Sequence, residues 1–410
     1  MSHALPDNIL LEIFDFYRKN LYYRTDIWRW RILVHVCRRW RQIIFESPRR
    51  LDLRILCTEE TDVKKNLGIW PAFPIVIDCR YYWRSIQPRG EGNVIAALKH
   101  PDRVCSITLD VPGPQLEPVT TVMQVSFPVL THLHINSRDG NAPVLPGRFL
   151  GGSAPCLQEI YFFRVPFPAL PKLLLSANDL VQLELREIPP TGYVSPEAMV
   201  AGLAALLRLE TFIIEFQSAT FRPNRRPNRI DSVSPTARTG LPALTHFRFK
   251  GASEYLEDLV AQIDGPQLGS IVIIYLNQLI DFQVGQLAKF IDRSVGPELN
   301  LFRHAHITFD SRRVSITRRA NQSRCTWCPA STSIYCKEID WQVSHMAQVL
   351  SHFSMTFSAV IHLNLKAEYN SRQSRAMDHI EWQPCCLWTV PIPCAICARS
   401  LRLDLVSLPR

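Results

Sequence analysis

The sequence predicts a mixed α/β protein: a small helical module at the N-terminus, then an irregular repeat domain built on a parallel sheet. Two observations carry this. Two amphipathic segments occupy the first fifty residues, and beyond residue 100 a short apolar pattern returns every 23 to 35 residues. With 410 residues, 47% of them hydrophobic, the chain is long enough to bury a sizeable core.

In the first segment Leu5, Ile9 and Ile13 recur every four residues, with Leu10, Phe14 and Tyr17 beside them. That spacing gathers apolar side chains on the face of a helix from Leu5 to Lys19. Pro6 stands where the helix begins, its φ favourable and its missing N–H not needed there. The second segment, Trp30 to Phe45, reads as one further helix. Leu33, Val36, Cys37, Trp40, Ile43 and Ile44 follow the 3.6 period, Arg38, Arg39, Arg41 and Gln42 fall opposite, and Pro48 ends it. Two such helices expose more apolar surface than they cover on each other, so a partner or the following domain takes the remainder.

The runs Leu5-Pro6-Asp7-Asn8-Ile9-Leu10-Leu11-Glu12-Ile13-Phe14 and Leu33-Val34-His35-Val36-Cys37-Arg38-Arg39-Trp40-Arg41 resemble the F-box. Through that motif, substrate receptors of cullin-RING ubiquitin ligases dock on a Skp-type adaptor. The resemblance implies that Leu5, Pro6, Ile9, Leu10, Ile13, Leu33, Val36, Cys37 and Trp40 contact the adaptor, with Leu10 and Trp40 as the main anchors. The connection from Asn20 to Arg29, with Tyr22, Tyr23 and Trp28, is longer and more aromatic than the family's pattern. The alternative is a helical cap on the domain behind.

Residues 51–100 read as a connecting segment packed on the repeat domain, since no Gly/Ser-rich linker intervenes. Its run Ile75 to Ile77 is expected to open the sheet. Past it come Val104-Ile107-Leu109, Leu130-Leu133-Ile135, Leu157-Ile160-Phe162, Leu180-Leu183-Leu185, Leu209-Phe212-Ile214, Leu244-Phe247-Phe249, Leu268-Ile271-Ile273 and Val360-Leu363-Leu365, with a degenerate copy at His304, Ile307 and Phe309. The period is similar to that of leucine-rich repeats, in which a short strand per unit is buried by stacking on its neighbours. The Asn or Cys that such repeats carry eight residues after the first Leu is replaced here by Pro112, Arg138, Val165, Ile188, Gln217, Ala252 and Leu276. An irregular solenoid spanning 101–382 is therefore expected, with ordinary α/β strands as the alternative. Residues 221–240, rich in Pro, Asn, Ser and Arg, read as a solvated insertion, and 383–410 as an atypical tail.

No GxGxxG after a strand, GxxxxGK[ST], HExxH or GxSxG is present, so a non-catalytic adaptor subunit with no cofactor is expected. Cys325-x-x-Cys328 and Cys394-x-x-Cys397 lie too far apart for a compact zinc module, and the histidine pairs His132/His134 and His304/His306 lack accompanying ligands, so no metal is expected. A client protein is expected on the outward row of the strands, at His132, His134, Tyr161, Phe163, Glu184, Arg186 and Arg248. The charge of +9 invites a nucleic-acid reading, but the arginines, including those from Arg222 to Arg229 and Arg312 to Arg324, follow no nucleic-acid-binding motif. No apolar run reaches the ~18 residues of a membrane span. Singly scattered cysteines such as Cys37, Cys79 and Cys105 suit a reduced compartment, cytoplasm or nucleus.

Overall fold

The computed structural model describes residues 5–19, 30–48, 50–58, 61–80, 88–218, 238–276 and 285–294, and the backbone of five later strands. The chain divides into two compact units, Met1–Val165 and Pro166–Arg410.

In the first unit three helices pack together: α1 (Asp7–Lys19), α2 (Trp30–Val34) and α3 (Arg38–Glu46). The Pro6 carbonyl accepts from the Leu10 N–H at 3.1 Å, so the helix does begin at this proline. The second amphipathic segment is two helices and not the one expected. Cys37 is extended, at φ −158° and ψ 169°, and its Sγ accepts from the Trp40 N–H at 3.5 Å, which makes it the cap of α3. Arg41 Nε donates to the Val34 carbonyl at 3.0 Å, satisfying an acceptor left free where α2 stops. Cysteine is not a usual capping residue, so periodicity alone ran through the break.

Five parallel strands follow, in chain order across the sheet: β1 (Ile55–Cys57), β2 (Ile75–Arg80), β3 (Val104–Val111), β4 (His132–Ser137) and β5 (Glu159–Phe163). The sheet opens one strand earlier than the sequence suggested, at Ile55. The crossovers carry α4 (Val63–Ile69), α5 (Pro88–Leu98), α6 (Gly113–Val122) and a 3-10 turn at Phe149–Gly152, and α5 packs against both α4 and α6. The helical module is tied to the sheet by rings. Trp30 of α2 meets Trp70 at 5.2 Å, Phe73 at 5.5 Å and Phe45 at 6.4 Å, and its Nε1 donates to the Arg54 carbonyl at 3.3 Å.

The second unit repeats the alternation. It runs α7 (Leu170–Leu174), β6 (Gln182–Ile188), α8 (Pro196–Leu203), β7 (Thr211–Phe216), β8 (Thr239–Gly240), β9 (His246–Gly251), α9 (Ser253–Val260), β10 (Ile263–Asp264), β11 (Ser270–Leu276) and α10 (Gly285–Ser294). Strands β6, β7, β9 and β11 are parallel neighbours, while β8 and β10 form a separate parallel pair. Helices α7 to α10 each pack on the next. The later strands break the parallel progression. Beyond β11 come β12 (His304–Asp310), β13 (Arg313–Arg319) and β14 (Ala330–Tyr335), an antiparallel meander whose β14 pairs parallel with β11. The degenerate copy at His304 is thus a strand, but its β13 neighbour runs antiparallel. Strands β15 (His362–Glu368) and β16 (Leu401–Asp404) then pair parallel from β12 outward. Tyr22, Tyr23, Trp28, Val360, the insertion from 221 to 237, Cys325, Cys328, Cys336, Cys394 and Cys397 lie outside the described residues, as do the side chains of His304 and His306 and most of 383–410.

The core is built on the apolar triplets. Every member of the seven from Val104 to Ile273 is at most 4% exposed. They align as cross-strand rows, Ile107–Leu133–Ile160 in the first unit and Leu183–Phe212–Phe247–Ile271 in the second. A signal upstream of each triplet escaped the sequence reading. Leu130, Leu157, Leu180, Leu209, Leu244 and Leu268 each donate their N–H to the carbonyl three residues back, at 3.0 to 3.2 Å. Four of these turns carry proline second, as Phe127-Pro128-Val129-Leu130 and Leu241-Pro242-Ala243-Leu244 show, where its φ suits a type I turn. At the eighth position, where the Asn or Cys of such repeats is missing, main chain and packing substitute. The N–H of Arg138 reaches the Val111 carbonyl at 3.2 Å and that of Gln217 reaches Ile188 at 3.1 Å, while Val165, Ile188, Ala252 and Leu276 are buried.

Candidate functional site

Two kinds of surface draw the residues singled out above. The first lies on the N-terminal helices. Leu10 and Phe14 face inward, and Trp40 packs edge-on against Phe14 at 4.7 Å. Arg39 Nε donates to Asp7 Oδ1 at 3.1 Å and its Nη2 to the Leu5 carbonyl at 2.6 Å, while Arg50 pairs with Glu12, so α1 is fastened at its start and in its second turn. On such a fastened frame, Leu5, Ile9, Ile13 and Val36 remain between 40% and 55% exposed. Pro6 is exposed, and Leu33 and Cys37 are half-buried.

This divides the expected adaptor-binding set. Leu5, Pro6, Ile9, Ile13 and Val36 present free apolar surface. Leu10, at 1% exposure, is already enclosed by its own chain, so it holds the helices together and does not offer itself as an anchor. Trp40 stands between the two roles. The sequence reading missed Phe16 and Ile32, 70% and 58% exposed. For Phe16 the signal was in the sequence: it follows Ile9 by seven residues, a spacing that shares a helix face.

The second surface is the polar face of the strands. In the first unit, His132 Nε2 lies 3.7 Å from Glu159 Oε1, the rings of His134 and Tyr161 lie 4.0 Å apart, and the Arg164 guanidinium sits 5.0 Å over the Phe163 ring. Asp110 pairs with Arg138 at 2.9 Å and Asp78 with Arg80 at 2.6 Å. The Thr131 hydroxyl contacts both the Cys105 carbonyl at 2.8 Å and His132 Nδ1 at 2.7 Å. A carbonyl only accepts and a hydroxyl has one proton, so the Thr131 hydroxyl donates to the carbonyl and accepts from Nδ1–H. Thr245 and His246 repeat the device in the second unit, with 3.1 Å to the Glu210 carbonyl and 2.8 Å to Nδ1.

In the second unit the expected client residues are engaged with one another. Arg186 Nε bonds Glu184 at 2.9 Å and its Nη1 lies 3.6 Å from Glu215, which also takes Arg248; Lys250 pairs with Glu187. Glu215 is only 5% exposed, so these bonds are what make its burial tolerable. Glu187 has φ +53° within the irregularity between Leu185 and Ile188, and that left-handed bulge accompanies its pairing with Lys250. The arginines here are consequently not free cations awaiting a phosphate.

Among the described residues, no group of three or more His, Cys, Asp or Glu is arranged to hold a metal, and no helix is long and apolar enough to cross a membrane. No protein-family model matches the chain, and no curated protein matches it either.

Proposed function

We propose that this chain is the non-catalytic substrate receptor of a Skp-cullin-F-box ubiquitin ligase, docking a Skp-type adaptor through its N-terminal helices and a client through a leucine-rich-repeat-like solenoid. One observation carries the reading. Four residues the motif assigns to docking are apolar and exposed, Ile9 and Ile13 on α1, Leu5 just ahead of it and Val36 just past α2, on a module otherwise fastened by Phe14, Trp40, Arg39 and Arg50. Exposed apolar side chains gathered on one small module mark a protein partner. The adaptor brings a cullin, and ubiquitin transfer is accelerated by holding client lysines near the charged conjugating enzyme. Such a receptor works in cytoplasm or nucleus and contributes no bond chemistry of its own. On the client side, the half-exposed His132, His134, Tyr161 and Phe163 offer the aromatic and hydrogen-bonding types that dominate recognition surfaces.

A second reading has its own support. The ring cluster of Trp30, Phe45, Trp70 and Phe73 is what a capping module needs, and a repeat scaffold with no ligase role would carry it too. Size-exclusion chromatography of the full chain with purified Skp-type adaptor separates the two. Stoichiometric co-elution, abolished by Ile9→Asp with Ile13→Asp in a chain whose melting temperature is unchanged, is the expected outcome. A folded wild-type chain eluting alone would leave the scaffold.

A further inference from the structure

Helix α3 ends at Ser47, whose N–H reaches the Ile44 carbonyl at 3.2 Å. Its hydroxyl, by contrast, bonds nothing among the described residues and is not sealed from solvent. Pro48, Arg49 and Arg50 follow. Of the three Ser-Pro steps in the chain, at Ser47, Ser195 and Ser234, this one alone carries a basic residue third after the serine. The Leu51 N–H returns to the Ser47 carbonyl at 3.2 Å, so 47–51 makes one further helix-like turn that sets the side chains of Ser47 and Arg50 on the same side. Arg50 is exposed and pairs with Glu12 in the second turn of α1.

We propose that Ser47 is a phosphorylation site for a proline-directed protein kinase of the type that also reads a basic third residue, and that the phosphate draws Arg50 away from Glu12. In the transfer the Ser47 Oγ–H bond and the bond from the γ-phosphorus of ATP to its bridging oxygen break, an Oγ–P bond forms, the hydroxyl proton passes to the kinase's base, and ADP leaves. Proline suits the position after the serine because it has no N–H to leave unpaired in an extended bound segment, and a cation two residues beyond it is the kind of charge by which kinases sort substrates. Stopping α3 needs Pro48 but neither an unbonded hydroxyl nor two arginines. The phosphate adds about −1.5 to −2 charge, placed at a helix C-terminus and beside Glu46, both of which repel it. Arg50, on the same side of the turn, answers that charge, and a dianion holds a guanidinium more strongly than the exposed Glu12 carboxylate does. Helix α1 then loses that tie while Arg39 keeps its own to Asp7. No partner of the helices enters, so the site stands whether or not they dock an adaptor.

Incubating the full chain with ATP and a purified cyclin-dependent kinase, then mapping phosphopeptides by mass spectrometry, tests this, with a synthetic Arg41–Leu53 peptide as the unfolded reference. Melting temperatures confirm that each variant folds. The expected result is phosphate on Ser47 of the native chain, none on that peptide in Ser47→Ala, and an initial rate lowered at least tenfold by Arg50→Gln but kept within twofold by Arg38→Gln at the other end of α3. In the phosphorylated chain the amides of α1 should exchange with deuterium at least threefold faster than in the unmodified chain, and Glu12→Gln in the unmodified chain should reproduce the change. A native chain that stays unlabelled at Ser47, whether or not the peptide is labelled, overturns the site. Labelling that leaves α1 exchange unchanged overturns the transfer of Arg50.

Discussion

Asp139 shows how one side chain sets a boundary between elements. Its Oδ1 accepts from the Gly113 N–H at 2.8 Å, the Ser137 hydroxyl at 3.1 Å and the Asn141 N–H at 3.2 Å, joining the end of β4 to the start of α6. Desolvation would raise its pKa, but the combined hydrogen bonds outweigh that and hold it below the ordinary 3.8. A carboxylate depressed in the folded state adds stability above its unfolded pKa and loses it as pH falls through the folded one. Asp139→Asn should therefore lower the melting temperature at pH 7, with the gap from wild type closing below the folded pKa; a gap that is equal at pH 7 and pH 2.5 would refute the charge account. Gly113 is fixed by the same junction, since a Cβ there would come 2.1 Å from the Asn141 carbonyl oxygen. Cysteine chemistry follows burial. Cys57 is buried, and desolvation first and Cys79 second push its thiol well above the usual range, whereas Cys156 is exposed. Iodoacetamide followed by peptide mapping should label Cys156 in the native chain and leave Cys57 and Cys79 unlabelled until denaturant is added.

At the scale of elements, α2 is five residues long and could not persist on propensity alone. Trp30 is what holds it, 5% exposed among Phe45, Trp70 and Phe73. Trp30→Ala should cost about 3 to 5 kcal/mol of unfolding free energy in urea titration. Strand β7 carries the other sensitive position. Glu215→Ala leaves Arg186 and Arg248 without their shared carboxylate and should cost about 1 to 3 kcal/mol by the same measurement. How legible these elements were differs by kind. The strands from β3 to β11 that carry the triplets could be read because an inward residue must be apolar, and the pattern repeats that demand. Helices α4 and α5 and strand β1 were not read. They lie near Pro and aromatic residues, α4 and β1 are only seven and three residues long, and all acquire their burial from neighbours distant in sequence. The split at Cys37 was hidden for a different reason, since the residues on both sides keep a helical period and only backbone geometry breaks it.

Across the molecule, the N-terminal helices and the opening strands of the first unit share one ring cluster, so they should open together. Hydrogen exchange read by mass spectrometry should give similar protection to α3 and β2, and a helical segment exchanging orders of magnitude faster than β2 would show instead an appendage on a tether. Of the candidate sites, the stripe Leu5–Ile9–Ile13 was legible as apolar and periodic, but not as outward-facing. Leu10 has the same chemistry and the same periodicity, and sequence could not say which of the two stripes the chain would keep for itself. The polar row was legible as the outward members of alternating strands, yet the pairing of Arg186 and Arg248 with Glu215 was not, because they lie 29 and 33 positions from it and meet it only when strands align. What the sequence determined by itself is thus the local, periodic part: inward triplets, their spacing and the proline at α1. Tertiary structure alone decided which apolar faces are covered, where the parallel order gives way to the meander of β12 to β14, and which charges are already paired, because each of these depends on contacts between segments that no local spacing encodes.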